Sequence, residues 1–209
     1  MLDMRLYLVT DRSHLAGRDF LTVLDAALRG GVTMIQLREK EASSREFFDL
    51  AIQVRELSHS HGVPLWINDR LDIALAVEAD GLHIGQSDLP AAVARRLMPP
   101  AMKLGVSAQT VEQAVQAERD GADCLGVGAM FPTGTKSDAK PVSADELRRI
   151  KQTVRIPIVA IGGINASNLA LPMRCGVDGV AVVSAIMSAP DPEAAARELR
   201  EKIDAHLGK

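Results

Sequence analysis

A single (β/α)8 barrel, the TIM-barrel arrangement of the α/β class, spanning residues 1–209 as one domain, is the fold this sequence predicts. Three observations predict it. Short runs rich in Val, Ile and Leu recur along the chain, each followed by a segment of helical periodicity, as when parallel strands alternate with crossover helices. Eight such runs can be counted, more than a doubly wound sheet usually has. The chain has 209 residues, enough for one sizeable core and near the lower size limit of such a barrel.

Taken in order, the first run is Leu6 to Thr10, which breaks off into the polar burst Thr10-Asp11-Arg12. The second, Met34 to Leu37, carries Gln36 and runs into Arg38-Glu39-Lys40. The segment Ser44 to His59 is amphipathic, with Phe47, Phe48, Ala51, Ile52, Val54 and Leu57 as its apolar positions. The third run, Leu65 to Ile67, ends in Asn68-Asp69-Arg70, and the fourth, Gly81 to Ile84, in Gly85-Gln86-Ser87-Asp88. Lys103 to Val106 leads to Ser107, and the amphipathic Val111 to Arg119, with Ala114, Val115 and Ala117, leads to the sixth run, Cys124 to Gly128. Ile158 to Ile161 ends in Gly162-Gly163, and Gly179 to Val183 in Ser184. Four turns into strands share a signature: Gly30-Gly31-Val32-Thr33, Glu78-Ala79-Asp80-Gly81, Gly121-Ala122-Asp123 and Gly176-Val177-Asp178. Glycine accepts the left-handed conformation that ends a helix, which accounts for the recurrence without invoking function.

Composition removes several classes of function. A formal charge of −3 leaves no basic excess, so binding of nucleic acid through its phosphates is not expected. The opening residues Met1-Leu2-Asp3-Met4-Arg5 are too polar for a signal peptide, and no apolar run approaches the roughly 20 residues that span a bilayer. The cytoplasm is the expected compartment, with no membrane partner; a homo-oligomer is compatible with the sequence. Cys124 and Cys175 lie far apart with no metal-ligand spacing, so buried reduced thiols are expected rather than a disulfide or a zinc site.

In a barrel of this kind every βα loop opens on one face, so the polar bursts meet in space. Asp69 and Asp88 offer two hard carboxylate oxygens, the ligands Mg²⁺ takes while keeping water and phosphate oxygens in its other positions. The alternative for each is a turn or helix-cap aspartate. Arg38, Lys40 and Lys136 bring cations to the same face, and together these groups suit a magnesium pyrophosphate. The loop Phe131 to Val142 is the longest break between strand and helix, of the length of a lid, with a solvated polar loop as the alternative. Its Gly134-Thr135-Lys136 is not a P-loop, because Thr135 separates the glycine from the lysine. Gly126-Val127-Gly128 lacks the third glycine of a dinucleotide fingerprint, Phe131 standing in its place. Gly162-Gly163 and Val183-Ser184 occupy the positions where barrels often hold a phosphate, although Gly162-Gly163 also reads as a tight turn. His83, within the fourth run, could line the pocket, but it reads better as a packed and hydrogen-bonded histidine and is not counted in the site. His14, His59, His61 and His206 have no neighbours in sequence that suggest a role.

The segments "QLREK" (36–40), "NDRLDIALAVEADGLHIGQSDLP" (68–90), "GVSAQT" (105–110), "FPTGTK" (131–136), "AIGGI" (160–164) and "DGVAVVSAI" (178–186) resemble thiamine phosphate synthases. The likeness runs over nearly the whole chain in the family's order. It implies an enzyme that joins hydroxymethylpyrimidine pyrophosphate to hydroxyethylthiazole phosphate, or its carboxylated form, releasing pyrophosphate and leaving thiamine phosphate. Carried over position by position, Gln36, Arg38, Lys40, Asn68, Ser107 and Lys136 would hold the pyrimidine and its pyrophosphate, with Arg38, Ser107 and Lys136 acting in catalysis. Asp69 and Asp88 would bind Mg²⁺. Thr133, Thr135, Gly163, Val183 and Ser184 would hold the thiazole phosphate. The sequence departs from the family's usual pattern at Ala129-Met130, where a proline commonly follows Gly128, and at Pro141-Val142, where a glycine is common; both departures bear on the lid. Two rival readings are a thiazole tautomerase, which has a histidine where this chain has Ala129, and a catalytically silent barrel, which would be expected to have lost the aspartates that are present here.

Overall fold

The computed structural model describes residues 2–134 and 141–208. Eight parallel strands close in chain order into a barrel: β1 (Leu6–Val9), β2 (Met34–Leu37), β3 (Leu65–Asn68), β4 (Gly81–Ile84), β5 (Lys103–Ala108), β6 (Cys124–Val127), β7 (Ile158–Ile161) and β8 (Gly179–Val182). β8 pairs back onto β1, with Tyr7 opposite Ala181. The helices are α1 (Phe20–Arg29), α2 (Ser44–Ser60), α3 (Leu71–Ala76), α4 (Ala91–Leu97), α5 (Val111–Arg119), α6 (Ala144–Thr153), α7 (Ala170–Arg174), a short α8 (Ser184–Met187) and α9 (Pro192–Leu207). The eight predicted runs are the eight strands, three with the same bounds and five with the C-terminal end displaced by one or two residues. The largest displacement is in β5, which continues to Ala108 because Ser107 and Ala108 still pair with Gly126 and Val127.

Side-chain caps start most of the long helices. Asp19 accepts from Thr22 N before α1, Ser43 and Glu46 form a capping box on α2, and Thr110, Ser143 and Asp191 cap α5, α6 and α9, the last with Pro192 in the first turn. Each cap satisfies a helix N–H that would otherwise lack a partner.

Because side chains alternate across a strand, one set faces the helices and the other fills the barrel. Leu6, Leu8, Ile35, Leu37, Leu65, Ile67 and Leu82 belong to the outer layer. A smaller cluster of Met4, Tyr7, Val9, Met34, Trp66, Cys124, Val159 and Ala181 packs separately, inside. Trp66 is fully buried there, edge-on to Tyr7 at 6.2 Å between ring centroids. Its bulk is accommodated by missing side chains on the next strands. A Cβ on Gly81 would fall inside the indole ring's contact distance, and one on Gly105 would stand 2.8 Å from it. Both cysteines are buried free thiols, as the sequence predicts.

The turn signature acquires a second meaning in the structure. Gly31, Gly121 and Gly176 do take positive φ (101°, 90° and 85°). The Glu78–Gly81 turn differs: Glu78 takes the positive φ, at 51°, and Gly81 is instead a strand residue kept bare beside Trp66. The last polar residue of each turn clamps two strands. Thr33 Oγ1 accepts from Leu6 N at 3.0 Å, Asp80 Oδ2 from Leu65 N at 2.8 Å, Asp123 Oδ2 from Leu104 N at 2.9 Å and Asp178 Oδ2 from Ile158 N at 2.8 Å. In each case the same residue's own N–H donates to the carbonyl of the residue it clamps. Every odd strand is thus fastened at its start to the turn that opens the next even strand. This fourfold device closes the floor of the barrel and leaves the opposite face to the βα loops.

Candidate active site

At the C-terminal ends of the strands lies a cavity of about 690 Å³. Gln36 and Arg38 reach it from β2 and the residue after it, Lys40 from the loop beyond, Asn68 and Asp69 from the end of β3, Asp88 from the loop after β4, and Ser107 from β5. Thr133 comes from the loop after β6, Gly163 from the turn after β7, and Val183 and Ser184 from the end of β8 and the start of α8. Each of these sequence-predicted site residues lines the same cavity. Thr135 and Lys136, also expected there, lie outside the described residues.

Asp69 has a left-handed backbone, φ 61°, which aspartate tolerates better than most residues and which is uncommon enough to mark a site under constraint. Lys40 Nζ donates to its Oδ2 at 3.0 Å and Asn68 Nδ2 to its Oδ1 at 2.7 Å. It does not cap α3: the residue at that cap is Arg70, with no side-chain cap bond. Burial raises the Asp69 carboxyl above its ordinary value; the Lys40 ammonium opposes this, and the neighbouring Asp88 carboxylate adds to it. Asp88 does act in a turn, its Oδ2 accepting from Gly85 N at 2.7 Å. A carboxyl raised by burial and by a neighbouring carboxylate suits a hard divalent cation, which would neutralise that charge and take its remaining oxygens from water and phosphate.

The cations at this end are held in place. Arg38 Nη1 donates to Asp11 Oδ2 at 3.1 Å, and Arg38 N to Thr10 Oγ1 at 3.1 Å. Burial works to raise the Asp11 carboxyl, but hydrogen bonds from Ser13 and the Arg38 charge bring it below the ordinary value. The guanidinium and the Lys40 ammonium retain further donors for an oxyanion. Gln36 is buried and donates through Nε2 to Tyr7 Oη at 2.8 Å, which fixes the floor of the cavity.

Across the cavity, the loop after β6 packs against the turn after β7. Met130 N donates to Ile161 O at 2.9 Å and Phe131 N to Gly162 O at 3.0 Å, while Val142 N returns to Ala129 O at 2.8 Å. Gly162 and Gly163 have φ of 99° and 64°, and a Cβ on Gly163 would stand 2.5 Å from Pro132 O. Both backbone freedom and close approach therefore require glycine here. Gly162-Gly163 forms the tight turn that was one of its two readings, and the same turn lines the cavity. Ala129 also lines the cavity, so the position that would carry a tautomerase's histidine is occupied by a methyl group.

The structure corrects one expectation. His83 is packed and hydrogen-bonded, as the sequence reading holds, but it also belongs to the cavity wall, where its Nε2 lies 3.1 Å from Ser107 Oγ. Both readings drawn from its place in the fourth run hold, because inward-facing strand residues near the mouth serve packing and site at once. The available signal was its place in the inward register, opposite Asn68 on β3 and Gly105 on β5.

The sequence model of a family described as thiamine monophosphate synthase matches residues 6–186. A thiamine-phosphate synthase of Alkaliphilus oremlandii is 54% identical over 202 residues, covering 97% of each chain. One from Chloroflexus aurantiacus is 55% identical over 201 residues, covering 96% of this chain and 93% of that protein. A solved structure of thiamine phosphate pyrophosphorylase from Pyrococcus furiosus superposes with a TM-score of 0.92 at 40% identity, covering 99% of this chain and 98% of that one.

Proposed function

Since the chain belongs to the thiamine monophosphate synthase family, we propose that its cavity joins a pyrimidine methyl pyrophosphate to a thiazole phosphate in the cytoplasm, giving thiamine phosphate and pyrophosphate. Membership makes the chain an enzyme, a transferase of thiamine biosynthesis with thiamine-phosphate synthase activity. The observation that carries the finer reading is that one cavity holds paired aspartates and two anchored cations at one end and a glycine-lined turn beside Val183 and Ser184 at the other. A pyrophosphate and a separate phosphate can be received there together.

In this reading Gln36, Asn68 and Ser107 bind and orient the pyrimidine with its pyrophosphate, and Arg38 and Lys40 hold its oxygens. Lys136, outside the described residues, is assigned the same anion. Asp69 and Asp88 would hold Mg²⁺, which when bound supplies positive charge to the leaving pyrophosphate. Breaking the CH₂–O bond places negative charge on the leaving group, so anchored donors that need not reorganise favour departure. The thiazole nitrogen brings its own lone pair, and Thr133, Thr135, Gly163, Val183 and Ser184 orient it by gripping the phosphate. Orientation of two bound partners is then the other main contribution, and no nucleophilic side chain is required.

Both phosphorylated substrates with Mg²⁺ are expected to yield thiamine phosphate and pyrophosphate one for one. The thiazole phosphate alone should exchange no ring-adjacent protons in deuterated water. Rapid metal-independent exchange without pyrophosphate release would place the chemistry in the tautomerase class.

A further inference from the structure

The His83 imidazole is wedged between bare stretches of two strands. A Cβ on Gly105 would stand 2.5 Å from its Nδ1, and one on Gly126 3.0 Å from its Cε1. The Nδ1 edge therefore lies against the β5 backbone, where it is buried with no hydrogen-bond partner among the described residues. The other nitrogen, Nε2, lies 3.1 Å from Ser107 Oγ. A charged imidazole would need an acceptor at both nitrogens, and the buried Nδ1 has none among the described residues, so the ring is neutral and carries one N–H. Two tautomers compete for that proton. On Nδ1 it would be a buried donor without an acceptor, which folded proteins rarely tolerate, whereas an unpaired acceptor is found more often. On Nε2 it meets the Ser107 hydroxyl oxygen.

We propose that His83 is a positioning residue, fixed as the Nε2–H tautomer and donating to Ser107 Oγ, so that the Ser107 hydroxyl hydrogen is left to donate to an anionic oxygen in the cavity. The opposite tautomer would take that hydrogen for the imidazole and present only oxygen lone pairs to an anion. Ser107 is held from its other side, since Gln86 Nε2 donates to its carbonyl at 2.7 Å. The carboxamide fixes the backbone of Ser107 and the imidazole restricts where its hydroxyl can turn. That the anion is pyrophosphate rests on the function proposed above; the tautomer does not.

Long-range ¹H–¹⁵N correlation spectra of the uniformly labelled protein test the tautomer without any substrate, with the His83 signals assigned by their loss in His83→Gln. A protonated, pyrrole-like Nε2 and a bare, pyridine-like Nδ1 are expected, and the reverse pattern overturns the proposal. Calorimetric binding of inorganic pyrophosphate with Mg²⁺ tests the consequence. His83→Leu and Ser107→Ala should each weaken binding about tenfold, the double variant no more than either, because both act through the one Ser107 hydroxyl donor. His83→Gln, which keeps an N–H near the Nε2 position, should recover most of the loss. Parent-like binding by His83→Leu beside weakened binding by Ser107→Ala would overturn the positioning role. Should the coupling assay fail while the spectra show Nε2–H, the proposed function falls and the tautomer stands.

Discussion

Asp69 shows what a single residue gives up to serve a site. Its backbone is left-handed, and its carboxyl is raised by burial and by Asp88. Asparagine accepts the same backbone and removes the repulsion, at the cost only of a lysine pair that is partly exposed and so contributes little. Metal-free Asp69→Asn is therefore expected to melt no lower than the parent and up to roughly 2–4 °C higher, the shift that about 1 kcal/mol gives in a chain of this size. Mg²⁺ should raise the melting temperature of the parent and not of the variant, since only a ligand that binds the folded state stabilises it. A variant that titrates with Mg²⁺ like the parent would remove Asp69 from the metal site. The site residues were legible in the sequence because they lie just past apolar runs, where a change from hydrophobic to polar marks a strand end. Asp11 was visible only as part of a polar burst. Its work on Arg38 depends on the pairing of β1 with β2, which no local pattern records.

At the scale of elements, the turns into β2, β4, β6 and β8 were read as glycine helix stops, and three of the four are. Their terminal Thr or Asp was passed over because its partner lies one strand back. Asp123 is the fullest case, accepting from Leu104 N while also binding Arg95 Nη1 at 3.2 Å and Lys103 Nζ at 3.1 Å. Asp123→Ala leaves the Leu104 N–H without its carboxylate, and a loss of about 1–3 kcal/mol is expected in urea unfolding, with the substrate KM values unchanged. Asp123→Asn keeps an acceptor and should lose less. A KM change in either variant, with stability intact, would mean that the floor of the barrel communicates with its mouth.

Over the whole molecule, acid stability should carry the mark of His83. Its pKa is about 4 in the folded protein against an ordinary 6.5, so between those values the unfolded chain binds a proton that the folded one refuses. The stabilisation is complete above pH 6.5 and is lost as pH falls toward 4, by roughly 3 kcal/mol at most. Carboxyls held low by arginines, such as Asp3 by Arg5 and Asp72 by Arg70, keep their contribution until pH falls through the ordinary aspartate range, so the two windows separate. Urea midpoints measured from pH 7 to 4.5 should fall steadily in the parent and much less in His83→Gln; parallel lines would exclude His83 as the cause. Closure of eight strands could be read from the number and order of apolar runs, because each run is a local signal. The inside of the barrel could not, for Gly81, Gly105 and Gly126 are spaces kept for Trp66 and His83 and look like ordinary strand glycines until the strands are neighbours. Trp66 is the chain's one tryptophan, and it is enclosed in that interior with its indole nitrogen unpaired among the described residues. The protein therefore carries a built-in optical gauge of its own barrel: the emission colour of one dry, fully enclosed indole reports whether water has entered between the strands, free of any signal from the helices outside.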